Sequence, residues 1–132
     1  MAPNQERRSV ILAVEDVEET RQGMERLLAA SGYHVSSARD EEEAVLKAGL
    51  HHPDLILLSL GANPTRAVAI AKRMRERAGL GEEVPVVVFC VANLDEGAEV
   101  AAGYNVYLTR PDNFDQLRAL LSRLLRKPPQ GC

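Results

Sequence analysis

Four stretches of the chain are apolar without alternation and rich in branched side chains: residues 10–14, 55–58, 84–91 and 106–108. A strand with one face in water alternates, whereas continuous runs of this length predict strands buried on both faces, as in parallel sheets covered by helices. A fifth stretch, 33–38, is more polar and reads as an edge strand. Between these runs the apolar positions recur at helical spacing. Val17, Thr20, Met24, Leu27, Leu28 and Ser31 fall within an arc of about 100°, and Gly32 follows as a helix stop. Asp40 and Glu43 have the spacing of a capping box, opening a helix with Ala44, Val45 and Ala48 inward. Ala67, Ile70, Ala71, Met74 and Ala78 form the next stripe, ended by Gly79 and Gly81. A short fourth helix is predicted over 95–102, with Gly97 weakening it by about 1 kcal/mol relative to Ala. The last helix starts near Asn113, carries Phe114, Leu117, Leu120, Leu121, Leu124 and Leu125, and stops at Pro128-Pro129.

The order is strand then helix, repeated five times. Short connections and right-handed crossovers turn that order into an α/β fold, a doubly wound five-stranded parallel sheet with helices on both faces. The flavodoxin-like strand order 2-1-3-4-5 is the natural candidate. One domain over 9–126 is expected, flanked by a flexible N-terminus, 1–8, and a flexible tail or linker stub, 127–132.

Composition narrows the function classes. The chain has 132 residues, 45% of them apolar, and a formal net charge of −3. Without a basic block, nucleic-acid binding has no electrostatic support. No apolar run approaches the roughly 20 residues of a membrane span. Cys90 and Cys132 are no disulfide framework, and no Cys or His cluster has metal spacing. A cytoplasmic protein is expected, with no metal or other cofactor.

Open parallel sheets bind ligands at the carboxyl ends of their strands, near the point where strand order reverses. Those ends carry Glu15-Asp16 after the first strand, Ser59 after the third, Cys90 after the fourth, and Thr109-Arg110-Pro111 after the fifth. Two carboxylates, a hydroxyl, a thiol and a guanidinium are therefore expected to converge. Asp54 lies five residues before Ser59, some 16 Å away at ~3.3 Å per residue and at the wrong end of its strand.

The stretches ILAVEDVEETR, PDLILLSLGANP, VPVVVFCVA and YLTRP, in this order and at these spacings, resemble the receiver domain of two-component response regulators. The resemblance covers about residues 9–126 and implies a flavodoxin-like, CheY-like fold. It also implies sites. In that family two acidic residues and a strand 3 Asp hold Mg²⁺. The Asp takes a phosphoryl group from a histidine kinase, a Ser/Thr and a Lys clamp it, and a strand 5 aromatic acts as a switch. By position, Glu15 and Asp16 stand at the acidic pair, Ser59 at the phosphoacceptor, Cys90 and Arg110 at the clamp, and Tyr107 at the switch.

Most of these positions depart from the family pattern. A carboxylate is nucleophilic at neutral pH, but a serine hydroxyl needs a base. Cys90 is a weaker donor than a hydroxyl, and Arg110 keeps the Lys charge but not its shape. One fewer carboxylate also weakens the case for a hard cation, and an Arg110–carboxylate pair is expected in place of the metal. The chain accordingly reads as a pseudo-receiver, a bacterial signalling module acting through protein contacts independently of phosphorylation, and not as an enzyme. The expected contact surface is the helix 4–strand 5–helix 5 face, with a protein partner or a second copy. Two alternatives stay open. One is a receiver that accepts a phosphoryl group on Ser59 or another residue. The other is a small-molecule or redox sensor in the Glu15/Cys90/Arg110 crevice.

Overall fold

The structure, a computed structural model, describes residues 8–59, 64–89 and 94–125. Cys90, Cys132, the tail 127–132 and most of the N-terminal flank lie outside them. The elements are β1 (Val10–Val14), α1 (Glu18–Ala30), β2 (His34–Ala38), α2 (Glu41–Leu50), β3 (Leu55–Leu58), α3 (Pro64–Arg77), β4 (Val86–Phe89), β5 (Glu99–Ala101), β6 (Val106–Thr109) and α4 (Phe114–Leu125). They form one sheet in the order β2-β1-β3-β4-β6-β5. All pairs are parallel except β5–β6, which is antiparallel. The five long runs of the sequence thus occupy the doubly wound order expected of them, and a sixth, short strand is added at one edge.

The side chains of β1 alternate between two cores. Leu12 and Val14 face Ala44 and Ala48 of α2 and Ala67, Ala71 and Met74 of α3. Ile11 and Ala13 face Met24 and Leu28 of α1 and Leu117, Leu120 and Leu121 of α4. This two-sided burial is what the unbroken apolar runs required. The expected stripe of α1 is narrower than its sequence suggested, since Val17 and Leu27 are exposed. Asp40 caps α2, its Oδ1 accepting from the Glu43 N–H at 2.9 Å, while Glu43 Oε1 accepts from the Arg39 N–H at 2.8 Å. Asn113 serves α4 similarly, accepting from the Gln116 N–H at 2.9 Å.

The helix expected over 95–102 is not there. The chain instead bends at Asp95–Ala98 and enters β5. Gly97 has φ +84 and lies with Ala98 opposite Arg110: the Gly97 N–H bonds Arg110 O at 2.6 Å and the Arg110 N–H bonds Ala98 O at 3.1 Å. Two residues against one, with the first a left-handed glycine, is a β-bulge. Thr109 Oγ1 adds a third bond, to Ala98 O at 2.9 Å. Beyond β5, Tyr104 and Asn105 are both left-handed, φ 58 and 60, closed by a Val106 N–H to Gly103 O bond of 3.0 Å. A pair of positive φ values is what the tight hairpin turns demand. The left-handed glycine and this turn override the weak helical propensity of the segment. Consequently a helix 4–strand 5–helix 5 face of the expected kind is absent from the described residues.

Candidate functional site

Register places the site. Val14 lies level with Leu58, so β1 and β3 release the chain side by side at Glu15 and Ser59. The Glu15 N–H bonds Ala38 O at 2.9 Å and the Ser59 N–H bonds Val14 O at 3.0 Å, which extends sheet-like order one residue past each strand. Glu15 is buried, at 6% exposure. A buried carboxylate needs partners, and Glu15 has two. Oε1 accepts from the Ser59 hydroxyl, and Oε2 accepts from the Val17 N–H at 3.0 Å. Its carbonyl oxygen also accepts from Arg21 Nη1 at 3.0 Å, so the first turn of α1 is tied to the same residue. Asp16, next in sequence, is exposed.

On the far side of the crevice, Arg110 does not join the carboxylates. It is exposed and donates from Nη1 to Leu94 O at 3.0 Å. Among the described residues it has no ion-pair partner. The expected Arg110–carboxylate pair is therefore corrected. Glu15 is satisfied by a hydroxyl and a main-chain N–H, and the bulge at Gly97 brings the 94–98 segment over Arg110 instead. Tyr107 is half-buried against the α1/α4 core and donates its hydroxyl to Asn105 Oδ1 at 2.8 Å. Cys90 lies outside the described residues. Asp54 sits before β3, opposite Ser59, and its Oδ2 accepts from the Val10 N–H at 2.7 Å, fastening the start of β1.

The donor set is a poor match for the magnesium ion that the resemblance implies. Mg²⁺ takes near-octahedral oxygen ligands, with carboxylates supplying charge. Among the described residues only Glu15 and Asp16 offer carboxylates here. Both oxygens of Glu15 face hydrogen-bond donors, and Ser59 contributes a neutral oxygen whose proton points at Glu15.

One polar residue escaped the sequence reading. Arg75 is buried, at 3% exposure, within the apolar stripe of α3. Its Nη1 donates to Val84 O at 2.9 Å and its Nη2 to Tyr104 O. Burial lowers the Arg75 guanidinium from its ordinary value, with Glu82 and Glu83 opposing. Its spacing of four from Ala71 and three from Ala78 was the available signal, since both flank the inward face.

Comparison with known proteins agrees with the architecture. The model of the response regulator receiver domain matches residues 11–122. The two-component response regulator PhoP of Pseudomonas aeruginosa is 29% identical over 119 residues, covering 89% of this chain and 52% of PhoP. The response regulator ArlR of Staphylococcus aureus is 26% identical over 122 residues, covering 91% and 54%. This chain thus spans about half the length of these relatives. Among solved structures, the receiver domain of the hybrid histidine kinase CckA superposes with a TM-score of 0.64 at 26% identity, covering 89% of this chain and 99% of that one. The chemotaxis protein CheY4 of Vibrio cholerae gives 0.65 at 22% identity, covering 89% and 99%, a likeness of fold. With the sheet order, the strand-end acids and a family match over residues 11–122, the chain belongs to the response regulator receiver domain family.

Proposed function

We propose that this chain is a receiver-type signalling module that works through protein contacts without being phosphorylated. The observation that carries the reading is the Ser59–Glu15 hydrogen bond. At the position where the family resemblance expects a nucleophilic carboxylate stands a hydroxyl, already donating to the buried acid beside it. Phosphoryl transfer to that oxygen would remove the donor and set a dianionic group against Glu15. Arg110, engaged with Leu94 O, is not aimed at the charge. Weak or absent Mg²⁺ binding follows from the same arrangement. Such a module would be set by its partner rather than by a kinase.

A second reading draws on the same bond. A serine that donates to a carboxylate has a candidate base in place, so Ser59 phosphorylation is the rival. Incubation with acetyl phosphate and MgCl₂, followed by intact-mass measurement, separates the two. No stoichiometric adduct is expected. An adduct that forms on the native chain and disappears in Ser59→Ala would establish the rival.

A further inference from the structure

The two edges of the sheet are finished differently. On β2, the even-numbered residues bond β1, as the His34 N–H to Ser9 O and Glu15 N–H to Ala38 O bonds show. Val35 and Ser37 therefore turn their main-chain groups outward. Lys47 Nζ reaches over from α2 and donates to Ser37 O at 2.6 Å. A lysine laid on an edge strand is a recognised block to pairing with another chain.

The β5 edge carries no such block among the described residues. The bonds Arg110 N–H to Ala98 O and Ala102 N–H to Val106 O fix which residues face β6. Glu99 and Ala101, between them, present N–H and C=O to the outside. All three residues of β5 are exposed, Val100 at 42%. Val100 lies on the same face as its partner Leu108, beside a hollow of about 770 Å³ floored by Val68, Ala69, Ala102 and Leu108.

We infer that this edge pairs, antiparallel, with the β5 edge of a second copy of the chain. The sequence of the strand is self-complementary about Val100. A two-fold axis there sets Glu99 opposite Ala101 of the other copy at both ends, and the outward groups then make four main-chain hydrogen bonds. No like charges meet. Glu99 is in addition held by Arg123 of α4 at 2.8 Å. The two Val100 side chains fall in the close, non-hydrogen-bonded position, where apolar pairs contribute most. The axis stands perpendicular to the sheet, so the two hollows join on one side and the two α4 helices approach on the other. This pairing is independent of whether Ser59 is ever phosphorylated.

The test is sedimentation equilibrium on the full chain together with amide hydrogen exchange. A reversible dimer is expected, with Glu99 and Ala101 amides gaining protection as concentration rises. Val100→Lys, which places like charges on the axis, is expected to weaken the dimer about tenfold or more. Ala101→Pro removes an outward N–H and is expected to do the same. Both positions are exposed, and far-UV circular dichroism checks that the variants stay folded. A chain that remains monomeric into the millimolar range overturns the inference. So does a dimer in which these two amides stay unprotected, or one that survives both substitutions.

Discussion

The Ser59 hydroxyl donates to Oε1 of Glu15, joining the ends of β3 and β1 through their side chains. Removing the hydroxyl leaves a buried carboxylate oxygen without its partner. Ser59→Ala is expected to lower stability by about 1–3 kcal/mol, read by urea denaturation. Little or no change would mean that water replaces the hydroxyl and that the bond has no structural role.

Ser59→Asp probes the same contact from the other side. It sets two carboxylates against each other, which disfavours ionisation of both. The variant is expected to melt below the native protein in chelator and to regain stability with MgCl₂, because a third carboxylate supplies the missing ligand charge. The native chain should respond much less. An equal response of both proteins would show that Glu15 and Asp16 already suffice for the ion.

Acid sensitivity should centre on the α2–α3 contact. Hydrogen bonds from Arg73 and, after an opposing contribution from partial burial, from Arg77 hold the Glu41 carboxyl below its ordinary value of 4.5. Arg73 donates to it from Nε and Nη2 at 2.8 and 2.6 Å. A depressed folded-state value contributes stability above the unfolded value and loses it as pH falls through the folded one. Native and Glu41→Gln chains should therefore differ in stability at neutral pH. The two curves are expected to converge as pH drops below 4.5. A gap that persists in acid would assign the effect to packing.

Arg75 fastens α3 to both the 82–84 loop and the β5–β6 turn. Arg75→Met keeps most of the buried stem but deprives the Val84 and Tyr104 carbonyls of their donor. The expected cost is about 2–4 kcal/mol, with hydrogen exchange quickening first in the 103–106 turn. Arg75→Lys should recover only part, since a point charge cannot span two carbonyls as a planar fork does. Full recovery would show that charge, not geometry, matters there.

The bulge can be tested by one methyl group. Gly97→Ala must hold a side chain at φ +84 with its Cβ 3.3 Å from Asp112 Oδ2. Left-handed geometry costs an L-residue about 1–2 kcal/mol, so a lower melting temperature is expected. A stabilised variant would mean that the segment prefers the helix its sequence first suggested.

Much of this molecule is legible from its residues, and the failures have physical causes. The unbroken runs at 10–14 and 55–58 could hardly be anything but doubly covered strands, and they alone bring Glu15 beside Ser59. The 95–102 segment misled because a helix and a bulged edge strand of that length differ by little in propensity. What decided it was Gly97, whose left-handed angle no apolar pattern encodes, together with a turn that places a tyrosine at positive φ. The expected Arg110–carboxylate pair fails for the same reason, since a helix was expected where the bulged 94–98 segment takes the guanidinium. Arg75 could have been found, since a charge on the inward stripe of α3 asks where its hydrogen bonds go.

The antiparallel rung has a bearing on how the protein folds. Each parallel pair described here closes only after a long crossover has been ordered, which makes the central sheet slow and cooperative. The 99–109 hairpin closes on itself across a tight turn and needs no distant strand other than the one it already contains. It is thus the part of the sheet that can zip early, and its outer strand β5 can fray alone while the five parallel strands keep their pairing with one another.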